Sequence, residues 1–591
     1  MKKITLASVS IFLTLSPALF ALIWHIRNLG WPNDDPANYM LTAYQQYSAF
    51  RNGSVVDGLQ AMYGTRGWRP TVFPLVATPF LLLSNGNVLV AVASALVLCF
   101  LVFQGYLYAI ARRYLDPLRA SLIAAFVGSS QAIAIYSTIF FSEMAWLAAY
   151  AGFVFHVLES CKFERASHAS IAGLFLGCAL IIRPAETLLI TAIPVLSLLY
   201  VAIRQDRHLI PYIVRVVGFI LLNGLVLIVA IIVSDFNYKL VLGCSFMISV
   251  MHLFLIKKCS NGQSSLSGLN HFAMSVVLIN ILWWAKSMPQ LYSWVYETSF
   301  GSMAKVTDVA TQKEGSLKVL MQICSFYLFP NGIMVALLGM LPLLPFRREK
   351  FDSVKRLSLL ALLTLGFLIP MCALYVATGT SDSRRVFIGM TFLLTLLAIL
   401  SLQEGSFRRA RFFGFVFILA LQLNVLFCAV KGEAISFGNL FLQKMVIPYP
   451  DLKGDKNEEV IFCLLKLGMP KGSTIAVYTT ALFQPRDRVY EPAALQLAAF
   501  TTGSNFNIIY YWDIGEYSSV LERLRRDQVE YLLIDKHQDP NSSGKHQPSW
   551  IFATTLLDKM EKMSSDPPGL KKIDVFELEG REQVLFKILA P

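Results

Sequence analysis

Apolar runs as long as a bilayer is thick recur along most of this 591-residue chain, and they restrict its fold more than any other feature. A hydrocarbon core of about 30 Å takes roughly 20 helical residues to cross. Inside lipid the backbone must satisfy its own hydrogen bonds, so each such run is expected to be a helix. Hydrophobic residues make up 55% of the chain and charged ones 15%, too apolar a balance for a water-soluble globular protein. The formal net charge of +13 would suit a nucleic-acid partner, yet the basic residues sit in short loops between the apolar runs. That placement is the positive-inside pattern of a polytopic membrane protein, and no nucleic acid is expected. The nine cysteines are scattered, several of them, such as Cys99, Cys178 and Cys372, within apolar spans. No CxxC or Cys/His spacing points to a metal cluster or a disulfide framework.

Charge sets the topology. Arg112, Arg113 and Arg119 follow a span at 87–110, Lys162 and Arg165 follow 143–160, and Arg204 and Arg207 follow 185–203. Lys257 and Lys258 follow 239–256, a cluster from Arg347 to Arg356 follows 318–346, and Arg408, Arg409 and Arg411 follow 386–403. These clusters fall at every second crossing when the N-terminus is cytoplasmic, which gives about 13 transmembrane helices and an extracytoplasmic C-terminus. A multi-pass protein of the inner or plasma membrane is expected. The run after Met1-Lys2-Lys3 has the elements of a signal peptide, but it continues to Trp24 and reads as an uncleaved anchor. Two runs, 168–183 and 184–203, are parted only by Arg183-Pro184.

Three larger segments fall on the outer side. The first outer loop, 27–86, contains Trp31-Pro32-Asn33-Asp34-Asp35-Pro36-Ala37-Asn38-Tyr39 and an apolar stretch from Arg69 to Leu83. That stretch is short for a span and is expected as an interfacial or re-entrant helix. The second segment, 289–317, mixes aromatics with charges, and the third is the tail. The tail predicts strands at 474–478, 508–512, 529–534, 573–578 and 583–589, with helices at 493–500 and 518–527 between them. Strands alternating with helices imply a small α/β domain over 431–591, after a transmembrane domain over 1–430. It carries no glycine-rich phosphate fingerprint and no Ser/His/Asp constellation, and it reads as a lid or acceptor-recognition domain. No internal repeat stands out, which argues against an inverted-repeat transporter.

The residues that carry chemistry gather on that outer side, each with a plainer reading beside the functional one. Asp34 and Asp35 follow the first helix directly, where acids beside a bilayer are costly and often functional; Pro-Asn-Asp-Asp-Pro is equally a good surface turn. Glu143 opens a helix after Phe141-Ser142, where an acid also suits the helix dipole. Arg384 and Arg385, in Ser381-Asp382-Ser383-Arg384-Arg385, run against the positive-inside trend and fit a lipid phosphate or a headgroup anchor. Arg183 between two apolar runs costs a few kcal/mol unless paired or snorkelled, and Glu186 one turn on is its local partner. Arg66 and Arg69 suit a phosphate or solvent. His25, His156, His252 and His271 share no metal-binding spacing.

The Asp34-to-Tyr39 motif with Gly53 beyond it, the Phe141-Ser142-Glu143 motif and the Arg384-Arg385 motif together resemble those of the GT-C superfamily. Those enzymes are glycosyltransferases using lipid-phosphate sugars, and the layout is most similar to the protein O-mannosyltransferase and aminoarabinose-transferase branch. The resemblance covers about residues 1–430 in layout. The family often has Asp-Glu in the first loop, whereas this chain has Asp-Asp followed by Pro36. It implies transfer of a sugar from a polyprenyl-phosphate donor to a glycan, lipid or protein acceptor outside the cytoplasm. Asp35, four residues before Tyr39, would be the general base with Asp34 as its partner, and Glu143 would orient the acceptor or share a metal. Arg384, Arg385, Arg183, Arg69 and Tyr39 would bind the substrate, arginine's fork matching a departing phosphate. A divalent metal is compatible with this chemistry but not required by the sequence. The competing readings are an O-antigen ligase or polymerase and a polyprenyl-lipid transporter or flippase.

Overall fold

The computed structural model describes residues 2–27, 35–63, 72–160, 163–183, 187, 268–280, 360, 389–403, 408–431, 456–479, 492–510, 517–536, 569–578 and 581–589. The outer segment 289–317, the spans at 239–256 and 318–346, and all of the span at 185–203 except Thr187 lie outside these residues. The described chain forms two compact units. One comprises Met1–Arg27, Leu59–Val76 and Ala93–Ile447; the other joins Asn28–Gly58 and Ala77–Val92 to Pro448–Pro591.

The described residues of the first unit are helical. Helix α1 (Lys2–Arg27) and α6 (Val88–Arg112), the latter running into this unit from the other, are long and apolar enough to cross a membrane. Along α1, Ile11, Leu15, Leu19, Leu22 and Ile26 are exposed, an apolar stripe suited to lipid rather than water. The segment 117–136 is two helices, α7 (Pro117–Gly128) and α8 (Gln131–Tyr136), broken at Ser129-Ser130. A break inside an apolar segment frees backbone carbonyls, which need partners. The Gln422 amide supplies one, donating to Phe126 O at 2.6 Å and to Ser129 Oγ at 2.8 Å. Gln422 lies on α13 (Arg408–Lys431), which follows α12 (Met390–Leu402).

At the start of α13 the basic cluster divides. Arg408 and Arg409 are exposed, but Arg411 is buried. Its guanidinium donates to the carbonyls of Leu400, Ser401 and Gln403 at 3.0–3.3 Å, so a cation closes the open end of α12.

Helices α9 (Ser142–Glu159) and α10 (Ala166–Ile182) form a tightly packed hairpin. Helix α10 stops at Ile182 because Arg183 precedes Pro184 and leaves the helical region (φ −144°, ψ 83°). Its other side receives α11 (Gly268–Asn280) over Gly173 and Gly177, a small-residue pair one turn apart. A Cβ on Gly173 would run into the carbonyl oxygen of Phe272, and Asn280 Nδ2 donates to Gly177 O at 3.3 Å.

The second unit centres on the α/β fold expected in the tail. Strands β1 (Thr474–Thr479), β2 (Asn507–Tyr510), β3 (Tyr531–Lys536), β4 (Leu570–Leu578) and β5 (Arg581–Ile588) form one sheet in the order β2-β1-β3-β5-β4. The first three are parallel and β5 runs antiparallel to both neighbours. Helices α14 (Lys456–Lys466) and α15 (Pro492–Thr501) cover one face over Ile475, Val477 and Leu533. Helix α16 (Tyr517–Arg526) covers the other over Ala476, Leu532 and Ile534. Because both faces of β3 are covered, it reads Tyr-Leu-Leu-Ile without polar alternation.

Two first-loop helices belong to this unit. Helix α2 (Asp35–Asn52) packs on α15, Tyr44 stacking on Phe500 at 6.4 Å, and on α5 (Thr78–Leu83), where Thr78 Oγ1 donates to Gln46 Oε1 at 2.9 Å. The apolar stretch of the first loop is two short helices rather than one, α4 (Val72–Leu75) and α5. Pro79 lacks the N–H that would continue a helix and instead sits in the first turn of α5. Between α2 and α4 runs α3 (Val55–Tyr63). After α5 the chain turns at Gly86 (φ +86°), where a side chain would be strained and would meet Tyr47 Oη at 3.1 Å.

Candidate active site

Glu143 stands in the first turn of α9, and Arg183 is the residue that ends α10. In an antiparallel hairpin the start of one helix lies beside the end of the other. The acid therefore meets the positive end of α9's dipole and the arginine the negative end of α10's, and each charge is favoured where it sits. Their side chains form an ion pair with Arg183 Nη1 3.0 Å from Glu143 Oε1, at 11% and 0% exposure. Charges this deep are expensive singly and stable as a hydrogen-bonded pair. The sequence neighbour Glu186 lies outside the described residues; the partner found for Arg183 is 40 positions away.

A second polar contact fixes the hairpin one turn further in. Trp146 Nε1 donates to Thr187 Oγ1 at 2.8 Å, and that hydroxyl lies 2.6 Å from Arg183 O and 2.9 Å from Ala179 O. Thr187 thereby ties the segment after Arg183 back onto α10 and to α9. Tyr150 stacks on Trp146 at 4.9 Å and makes an edge-to-face contact with Phe392 of α12, the ring centres 5.0 Å apart. Neither Trp146 nor Thr187 was singled out by sequence; the signal was the spacing Glu143, Trp146, Tyr150, which lies along one side of a helix.

In the second unit, Asp35 opens α2 and Tyr39, one turn on, is buried. With Asp35 as its first residue, α2 starts 8 positions after α1 ends at Arg27. Ala37, Met40, Leu41 and Ala43 behind Tyr39 are buried as well, so the start of α2 is held along its length. Ser54 and Asp57 close a capping box at the start of α3: Asp57 Oδ2 accepts from Ser54 N at 2.6 Å and from Ser54 Oγ at 2.8 Å. Those bonds hold the Asp57 carboxyl below its ordinary value. Asp34, Arg66, Arg69, Arg384 and Arg385 lie outside the described residues. Among the described residues no three His, Cys, Asp or Glu side chains converge as a metal site.

No protein-family model and no curated protein matches the chain. Solved structures do resemble it. The archaeal oligosaccharyltransferase AglB from Archaeoglobus fulgidus, in complex with an inhibitory peptide and a dolichol-phosphate, is similar at 13% identity and a TM-score of 0.43, over 90% of this chain and 70% of that one. ArnT from Cupriavidus metallidurans in the apo state is similar at 10% identity and a TM-score of 0.38, over 98% of both chains. ArnT bound to undecaprenyl phosphate gives 9% identity and a TM-score of 0.36, over 97% of both. Likenesses of this size leave the assignment of chemistry to the chain's own residues.

Proposed function

We propose that this chain is a membrane glycosyltransferase of the GT-C type, moving a sugar from a polyprenyl-phosphate carrier to an acceptor on the extracytoplasmic face. The observation that carries the reading is the Glu143–Arg183 pair. A carboxylate with no exposure, spent on holding one arginine at a helix end, is costly to build without a use for that arginine. A fixed guanidinium suits the phosphate that leaves when a glycosyl bond breaks. Glu143 is then the group that holds Arg183 in place, and proton removal from the acceptor hydroxyl falls to the acid pair. Asp35, at the start of a buttressed helix shortly after the first span, is the base, with Asp34 beside it and Tyr39 behind. Arg384, Arg385 and Arg69 would add cations for the lipid phosphate. The acceptor oxygen attacks the anomeric carbon, Asp35 takes its proton, and the polyprenyl phosphate departs.

In this reading the N-terminus is cytoplasmic and the α/β domain extracytoplasmic, about 13 helices crossing the membrane. The transporter alternative would draw on the break at Ser129-Ser130, but Gln422 ties it to α13 through Phe126 O and Ser129 Oγ, which supports reading it as a structural joint. The test is mass spectrometry of surface glycans from cells with the wild-type chain, without it, and with Asp34→Asn and Asp35→Asn variants of equal abundance. A glycan species that needs both the chain and Asp35 supports transfer; a glycan profile indifferent to the chain removes the proposal.

A further inference from the structure

The start of α7, the end of α12 and the start of α13 form a basic notch that the proposed chemistry does not use. Helix α7 packs on both α12 and α13, and the charge of Arg119 on α7 acts on Arg411 of α13. Arg408 and Arg411 are three positions apart and share one side of α13. All three arginines stand in the first turn of their helix, the positive end of its dipole, where an anion is favoured and a cation is not.

Their nitrogens are only partly used. Arg411 is buried and donates through its Nη groups to the carbonyls ending α12, yet its buried Nε has no hydrogen-bond partner among the described residues. Arg119, its side chain 11% exposed, donates through Nε to Asp116 Oδ2 at 3.2 Å, while Asp116 Oδ1 accepts from Arg119 N at 3.0 Å to cap α7. That carboxylate is thereby spent on one arginine. Arg408 is exposed at the rim. Glu404, in the turn between α12 and α13, lies outside the described residues, and with it counted the three arginines still outnumber two acids.

We propose that this notch binds the phosphate of an anionic phospholipid, Arg119 and Arg408 holding it from two helices and Arg411 forming the charged floor. The place suits a lipid rather than a solute. The notch lies where apolar helices meet a basic turn, the depth of lipid headgroups, and Phe413 and Phe417 are exposed further along α13, where acyl chains run. A guanidinium fork matches the paired oxygens of a phosphate, and two forks from different helices fix its position. In the topology proposed above this end faces the cytoplasm, the side opposite the donor phosphate, so the site is separate from sugar transfer.

The test is thermal unfolding of the full chain purified in a neutral detergent, titrated at constant ionic strength with dioctanoyl phosphatidylglycerol, dioctanoyl phosphatidylcholine or inorganic phosphate. A ligand that binds only the folded chain raises its unfolding temperature in a concentration-dependent way. Phosphatidylglycerol should do so, and phosphatidylcholine, whose phosphate is already balanced by its own cation, should not. Arg119→Gln and Arg408→Gln should each weaken the phosphatidylglycerol effect about fivefold in apparent Kd, whereas Arg409→Gln, on the other side of α13, should leave it within about twofold. Arg408→Gln, at an exposed position, keeps the test decisive if Arg119→Gln fails to fold. No response to phosphatidylglycerol overturns the site. Arg409→Gln weakening the response as much as Arg408→Gln also overturns it, in favour of diffuse surface charge. Inorganic phosphate reproducing the full effect with the same arginine dependence overturns the lipid as the source of the phosphate.

Discussion

Removing Arg183 is the sharpest perturbation of the hairpin, because of what it leaves behind. In Arg183→Met the Glu143 carboxylate, with no exposure to solvent, loses the guanidinium that sits 3.0 Å away. Breaking one side of a buried pair costs about 3–5 kcal/mol, most of it the penalty of the stranded charge. Glu143→Gln strands a guanidinium that retains some solvent contact and a hydrogen-bonding partner, so about 1–3 kcal/mol is expected. The double variant Glu143→Gln/Arg183→Met strands no charge, and its cost should fall below the sum of the two by about 2–3 kcal/mol. Reversible unfolding of the purified chain in detergent, followed by tryptophan fluorescence, gives the four free energies of the cycle. If the single costs add in the double variant to within about 0.5 kcal/mol, the pair is not coupled and the reasoning about Arg183 fails.

Three further outcomes follow from the geometry. Gly173→Leu drives a side chain into the Phe272 carbonyl and should separate α10 from α11, seen as loss of monodisperse folded protein, whereas Leu174→Ala on the exposed side is tolerated. Arg411→Met removes the donors to Leu400, Ser401 and Gln403 and should cost about 2–4 kcal/mol in the same unfolding assay, while Arg409→Met on the exposed surface changes it by less than about 0.5 kcal/mol. The Asp57 carboxyl is held below its ordinary value of 3.8 when folded, so its contribution to α3 is complete above that value and fades as pH falls through the lower folded one. Amide protection over 55–63 should drop below about pH 4 in the wild type and show no such step in Asp57→Asn.

What the sequence could disclose depended on how local the deciding interactions were. The strands of the tail were legible because they are decided nearby: Tyr531 to Ile534 is an unbroken apolar run, and β1 and β2 are preceded by turn glycines, Gly472 and Gly503, whereas α14 was not foreseen. The end of α10 was readable from Pro184, whose covalent geometry acts on the residue before it, whereas the break between α4 and α5 was not foreseen. The partner of Arg183 was not, because Glu186 is the nearer acid and the choice of Glu143 arises from the antiparallel packing of two helices. Arg411 looked like one of three equivalent loop cations; only the return of the chain onto the end of α12 separates it from Arg408 and Arg409. His156 and His168, whose Nδ1 atoms lie 3.0 Å apart across the α9–α10 hairpin, could have been paired in advance, since residues at similar distances from a hairpin turn face each other.

The central claim is the transfer itself, and its products can be measured directly. The purified chain in nanodiscs, supplied with a membrane extract of polyprenyl-phosphate sugars, should release free polyprenyl phosphate detectable by mass spectrometry, and Asp35→Asn should release at least about 100-fold less. Equal release from the wild type and the variant would contradict the role given to Asp35, and no release under any acceptor condition would contradict the enzyme.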